Sequence, residues 1–130
     1  MDQRGERRLC RACGRPIERA APEAGTRVFC SRACTTLRVR PIDRRLEALV
    51  LERLAGPGGR TPVPLAEIVE FAAARVGAGG RRDAALPFGE LVRRAVRRLA
   101  AAGEVDVHQR GRPVDAATAR GPLEVRRPGT

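Results

Sequence analysis

The chain has 130 residues and a formal net charge of +11, from 26 basic side chains, all arginine, against 15 acidic ones. This length fits one domain, or a small domain beside a mini-domain, and no apolar run approaches the roughly 18 residues needed to span a bilayer. We therefore expect a soluble cytoplasmic protein with neither membrane span nor leader, and the charge surplus favours a polyanionic partner, above all nucleic acid.

The four cysteines lie in the first third of the chain, in two close pairs. Cys10 and Cys13 precede Gly14, which fits a tight turn that aims both thiolates at a metal. Cys30 and Cys34 are four residues apart, so they share one face of a short helix. A reducing cytoplasm favours metal over disulfide, so the quartet predicts one structural Zn²⁺ in a treble-clef-like finger. The alternatives are a disulfide pair or four unrelated reduced thiols.

This region resembles known zinc fingers through the pattern C-x2-C-G … F-C-S-x2-C. The matching residues are Cys10, Cys13, Gly14, Phe29, Cys30, Ser31 and Cys34. The pattern is similar to fingers of small uncharacterised bacterial proteins, to the small zinc-binding DNA gyrase inhibitors and to MYND-type fingers. Those families bind proteins at least as often as nucleic acid. The resemblance therefore implies a metal-organised finger and leaves a protein partner of the finger open.

Three helices follow a seam near Arg40, each indicated by apolar residues that recur with helical periodicity. We predict them over Pro41–Ala55, Pro64–Val76 and Pro87–Ala102. Glycines end all three. The segment at 61–63 is extended because Pro62 disfavours helix before it, and Gly77 begins a flexible glycine-rich loop.

The third predicted helix has the sharpest division between its two faces. One face is apolar, and the other carries Arg93, Arg94, Arg97 and Arg98. Such a strip can neutralise phosphates, and arginine can also bind guanine edges. Residues 105–109 and 123–126 are then predicted to form two strands joined by a turn-rich loop. In this loop Arg110 and Arg112 flank Gly111, where they could reach the nucleic-acid backbone.

This order of elements is that of a winged helix-turn-helix, in which the third helix enters a groove and the loop between the strands forms the wing. We therefore expect an α+β fold class: a treble-clef-like four-cysteine zinc finger over 10–38, followed by a winged helix-turn-helix domain over 41–127. Residues 1–9 would form a basic tail, and 128–130 a second tail.

Residues 41–127 also resemble a small uncharacterised bacterial winged-helix family. The pattern covers Arg94–Ala100, Gly103–Asp115 and Gly121–Leu123. The chain departs from it at residues 88–90, where relatives tend to have Trp-Arg, and at Ala116, where they have proline. In that family the domain occurs behind such a finger, so the resemblance spans nearly the whole chain. The match implies a winged helix and carries no established activity.

Together these features predict a zinc-containing winged-helix protein that binds nucleic acid, DNA in preference to RNA, as a transcriptional or DNA-associated regulator. The alternatives are an adaptor for an acidic protein surface and an RNA- or ribosome-associated factor. No catalytic constellation or phosphate-binding glycine loop is recognisable, so we do not expect an enzyme. We interpret His108, the single histidine, as a strand surface residue in preference to a fifth metal ligand or a proton donor. The sequence does not fix the oligomeric state.

Overall fold

The computed structural model describes residues 9–17, 30, 34, 39–56, 61–82 and 86–129. These residues form a mixed α+β fold whose elements are α1 (Pro41–Ala55), β1 (Val63–Pro64), α2 (Leu65–Arg82), α3 (Phe88–Ala101), β2 (Asp106–Gln109), β3 (Arg112–Pro113) and β4 (Glu124–Arg126). The predicted α+β class is confirmed. The predicted tail over 1–9 lies outside the described residues except for Leu9. In the described ranges no helix is long and apolar enough to cross a membrane.

Helix α1 has the predicted bounds, and two residues of its own sequence specify its first turn. Pro41 occupies a first-turn position, where a missing N–H is harmless. The Oδ2 of Asp43 accepts hydrogen bonds from Arg40 N at 2.8 Å and Arg40 Nε at 3.1 Å. This carboxylate also lies at the positive end of the helix dipole. The start of α1 is therefore fixed by its own sequence.

Helix α2 consists of two helical stretches on either side of a kink, and the first stretch ends where the sequence predicted. Gly77 breaks its helical path with φ 73° and ψ 179°, at the position where the sequence predicted the end. Glycine adopts a positive φ without the Cβ clash that other residues suffer. Helical conformation then resumes and continues to Arg82, so the prediction of a loop from Gly77 is wrong for this stretch. Residues 83–85 lie outside the described part.

The core lies where the three helices pack against one another and against the sheet. Its fully buried large side chains are all aliphatic: Leu46, Val50, Leu54, Ile68, Leu91, Val92, Val96, Leu123 and Val125. Helix α3 supplies three of them. It ends in a Schellman motif, in which Gly103 N donates to Ala100 O at 3.0 Å and Glu104 N donates to Leu99 O at 2.9 Å. The predicted glycine stop of α3 is thus confirmed.

The antiparallel sheet has the strand order β1-β4-β2-β3. Val125 of β4 lies between Val63 of β1 and Val107 of β2. Strand β3, which the sequence did not predict, follows β2 through a two-residue turn. Arg110 and Gly111 in this turn have φ of 54° and 79°, as a type I′ hairpin requires. In place of the single long loop predicted between two strands, the chain forms a tight hairpin, and a turn-rich segment then leads to β4.

Candidate metal centre and basic groove

The four cysteine side chains come together in one cluster. Their sulfur atoms all lie within 4.8 Å of one another. The Sγ of Cys30 is 3.5 Å from the Sγ of Cys13 and 3.7 Å from the Sγ of Cys34. Tetrahedral coordination with metal–sulfur bonds of about 2.3 Å separates ligand sulfurs by about 3.8 Å. The predicted set of Cys10, Cys13, Cys30 and Cys34 is therefore positioned to bind a metal ion.

A tight turn presents the first pair of thiols, and we call residues 9–17 the knuckle. Gly14 N donates to Cys10 O at 2.9 Å, and Cys10 N donates to Arg15 O at 2.7 Å. Cys13 N lies 3.4 Å from Cys10 Sγ, so an amide donates to this sulfur. Gly14 closes the turn with φ 78°. The turn predicted from C-x2-C-G is thus present.

Cys10 and Cys13 differ in how readily they ionise. Burial opposes ionisation of the Cys10 thiol, but hydrogen bonds from the backbone of Cys13, Cys30 and Ala12 outweigh it and lower its pKa to about 7. Burial raises the pKa of the Cys13 thiol. Thiolates held this close together require compensating positive charge, because isolated buried charges are costly.

Cys34 is buried and helical, whereas Cys30 is only partly buried. The other residues of the short helix predicted across Cys30 and Cys34 lie outside the described residues. The i, i+4 spacing does bring the two sulfurs together, at 3.7 Å.

The knuckle rests directly on α3. A Cβ at Gly14 would lie 3.1 Å from the carbonyl carbon of Arg97 and 3.3 Å from its Cα, and would overlap its Cβ. The Nη1 of Arg97 donates to Cys13 O at 3.3 Å, and the Nη1 of Arg98 donates to Ala12 O at 2.5 Å. Two backbone carbonyls of the knuckle are therefore satisfied by side chains of α3.

Arg94 reaches the cysteine cluster itself. Its Nη2 lies 3.1 Å from the Sγ of Cys34, so a guanidinium donates to this sulfur. Glu90 Oε2 lies 3.7 Å from Arg94 Nε and 3.3 Å from Arg97 Nη1. Burial lowers the pKa of Arg97, and the nearby Glu90 carboxylate offsets part of this effect. An arginine side chain nevertheless stays protonated.

Two glutamates that sequence reasoning missed hold these arginines in place. Glu90 forms ion pairs with Arg94 and Arg97. Its i, i+4 spacing to Arg94 could have indicated the first of these pairs from the sequence. Glu47 of α1 accepts a hydrogen bond from Arg98 Nε at 2.5 Å. The Nη2 of Arg98 also donates to Asp43 O. Arg98 therefore joins α1, α3 and the knuckle, a link between distant residues that no local pattern indicates.

The arginine strip predicted on α3 lies opposite the apolar face, but most of it is buried. The side chains of Arg94, Arg97 and Arg98 are 12%, 2% and 8% exposed, because the knuckle and Cys34 lie against them. Arg93 is half-buried, and its Nη2 donates to Ala119 O at 3.2 Å. For Arg94, Arg97 and Arg98 to contact nucleic acid, the cysteine cluster and the knuckle would have to leave α3. The nucleic-acid role of the α3 arginines stays a prediction.

Arg110 and Arg112 are exposed in the hairpin, as the sequence predicted. With the exposed Arg120 they line an open groove of about 900 Å³, which we call the hairpin groove. Among the described residues no carboxylate lies within ion-pair distance of these three arginines. Arg44 and Arg53 of α1, Arg75 of α2, and Arg94 and Arg98 of α3, by contrast, each pair with a carboxylate. The hairpin groove thus has an excess of positive charge, with three arginines and Glu124 in its lining.

Gln109 connects the two walls of the hairpin groove. Its Nε2 donates to Arg120 O at 2.5 Å and to Pro122 O at 3.0 Å. Glu124 also lines the groove, and its Oε1 accepts a hydrogen bond from Gly111 N at 3.4 Å. Side chain to backbone hydrogen bonds therefore join the two walls of the groove.

His108 is buried, 7% exposed, and its Nδ1 has no hydrogen-bond partner among the described residues. It lies in β2 opposite Pro113 of β3 and Glu124 of β4. The interpretation of His108 as a surface residue is wrong, because β2 is an interior strand. The metal-ligand cluster found in the described residues consists of cysteines alone.

Comparison with known families matches one segment of the chain. A family model described as "Protein of unknown function (DUF3253)" matches residues 85–128. This is about a third of the chain, from the start of α3 through β4, and it contains the residues on which the predicted resemblance to an uncharacterised family depended. The cysteine cluster, α1 and α2 lie outside the match. No curated protein matches the chain.

Proposed function

We propose that this chain is a zinc-stabilised, winged-helix-like nucleic-acid-binding protein whose hairpin groove contacts the phosphate backbone. The observation that carries the proposal is the meeting of Arg110, Arg112 and Arg120 in one open groove, where Glu124 is the carboxylate among the described lining residues and the arginines outnumber it three to one. A net charge of +11 adds a long-range attraction for polyanions. The chain would act as a DNA-associated regulator.

Zinc is the metal that best suits the cysteine cluster. The four donors are thiolates at tetrahedral spacing, a set that selects zinc or iron–sulfur centres over hard cations. Four protein ligands leave no open position, so the site would be structural. Zinc would cross-link the knuckle to Cys30 and Cys34.

The winged-helix interpretation is supported by the order of the elements and by the pairing of β1 with β4. The β2–β3 hairpin follows α3, where a winged helix carries its wing. Since the knuckle covers the arginine face of α3, we assign the backbone contact to the hairpin instead of to this helix. Phosphate contacts of this kind position a protein on a duplex but read no sequence directly.

Fluorescence anisotropy of a labelled DNA duplex, measured across salt concentrations, tests the proposal. Each arginine that contacts a phosphate contributes about −0.9 to the slope of log K against log salt. The double variant Arg110→Ala/Arg112→Ala should therefore lose about 2 from the magnitude of this slope. The matched control is Arg45→Ala/Arg75→Ala, two exposed arginines on α1 and α2, which removes the same charge.

Equal slopes for the two double variants would overturn the assignment of the hairpin groove. An RNA duplex and a single strand serve as competitors, and preference for either would replace DNA with RNA as the partner. Failure of the zinc-loaded protein to bind any nucleic acid at low salt would favour the acidic protein surface as its partner.

A further inference from the structure

We propose that Arg94, Arg97 and Arg98 form a counter-charge collar around the cysteine cluster, in which Arg94 tunes metal affinity through the Cys34 sulfur. This inference rests on the metal part of the proposed function. The sequence suggests phosphate as the partner of these arginines, whereas their contacts point to a thiolate centre within the chain.

The first step is charge. A divalent metal with four thiolates carries a net charge of −2, and in a buried site this charge needs compensation. The collar brings three guanidinium groups, and Glu90 and Glu47 bring two carboxylates. One net positive charge therefore remains, next to the sulfur ligands.

The second step is that the three arginines of the collar donate hydrogen bonds to different acceptors. Arg97 and Arg98 donate to the backbone carbonyls of Cys13 and Ala12, so they fasten the knuckle to α3. Arg94 differs because its Nη2 donates to a ligand atom, the Sγ of Cys34, at 3.1 Å. A donor to a ligand sulfur stabilises the thiolate that the metal requires. Arg94 is therefore a positioning residue of the metal centre.

Competition between the full-length protein and a zinc-chelating dye tests this role. Loss of such outer-shell partners typically weakens metal binding by about 10- to 100-fold, and we expect that loss for Arg94→Ala. Arg94→Gln keeps an N–H donor without the charge and should fall between Arg94→Ala and the wild type. The matched control is Arg93→Ala on the same helix, whose guanidinium binds Ala119 O and whose zinc affinity should stay within about twofold of the wild type.

Cobalt substitution supplies a second readout that a purely structural role would not change. Removing a hydrogen bond from the Cys34 sulfur makes it a stronger electron donor, so the sulfur-to-cobalt charge-transfer band should shift to lower energy in Arg94→Ala and not in Arg93→Ala. If both variants have the same zinc affinity and the same cobalt spectrum, the collar proposal is overturned while the zinc site stands. If the reduced wild-type protein binds neither metal, the zinc site and the collar are both overturned.

Discussion

Gly14 of the knuckle lies against the backbone of Arg97, and a Cβ at Gly14 would be only 3.1 Å from the Arg97 carbonyl carbon. The contact occurs where Arg97 also donates to Cys13 O, so backbone and side chain of one helical residue hold the same turn. The knuckle and α3 therefore form one packed unit. The glycine of C-x2-C-G thus has two tasks here, turning the chain and allowing this approach.

Replacing Gly14 should measure this contact. Gly14→Ala introduces a Cβ at φ 78° that also collides with α3, and we expect it to lower the free energy of unfolding by about 2–4 kcal/mol. Gly103→Ala is the matched control, because Gly103 has the same φ of 78° and nothing within 4 Å of its Cβ position. It should cost about 1 kcal/mol, the positive φ alone. Urea unfolding of the zinc-loaded proteins gives both values, and equal losses would contradict the contact.

Metal removal should loosen α3. Without the metal cross-link the knuckle would detach, and buried Arg97 and Arg98 would lose their carbonyl partners. Under chelator and reductant, amide hydrogen exchange in α3 should accelerate at least about tenfold, equivalent to about 1.4 kcal/mol. Helix α2 is the internal reference, because in the described part of the chain none of its hydrogen bonds or ion pairs involves the knuckle. Unchanged α3 exchange would show that the knuckle stays docked without metal.

The Glu47–Arg98 pair should stabilise the fold far more than a surface pair. Its side chains are 13% and 8% exposed, so Glu47→Ala leaves a largely buried guanidinium without its carboxylate. We expect a loss of about 3 kcal/mol in the free energy of unfolding. The control is Glu52→Ala, since Glu52 and its partner Arg75 are 58% and 43% exposed and such pairs contribute under about 1 kcal/mol. Similar losses in the two variants would refute this ranking.

Local patterns predicted the helices well, because their signals are local. Pro41 and Asp43 fix the start of α1, and Gly103 fixes the end of α3 through its own backbone geometry. The spacing of the cysteines likewise predicted their convergence, since a metal site constrains sequence directly. Strand β3 escaped prediction because Pro113 disfavours a strand interior, although an edge strand tolerates it.

The exposure of the α3 arginines could not be predicted from their periodicity. Helical spacing separates Arg94, Arg97 and Arg98 from the apolar face, but it does not say what covers the other face. The knuckle that covers it lies more than 80 residues away in the chain from Arg97 and Arg98. The partner of a basic helical face can therefore be a polyanion outside the protein or a thiolate cluster within it. Only the tertiary structure distinguishes these two partners.

Arg110 offers a way to separate stability from binding. It has φ 54° in the type I′ turn, a conformation that asparagine and glycine adopt more easily than arginine. Arg110→Asn should therefore raise the free energy of unfolding by up to about 1 kcal/mol and increase the urea midpoint.

The same substitution should weaken binding of the DNA duplex, because it removes one guanidinium from the hairpin groove, and the magnitude of the salt slope should fall by about 1. Arg112→Asn is the control: Arg112 lies in β3, after the two central residues of the turn, so its loss should weaken binding without the gain in stability. If Arg110→Asn is more stable and binds the duplex as tightly as the wild type, the Arg110 guanidinium does not contact phosphate.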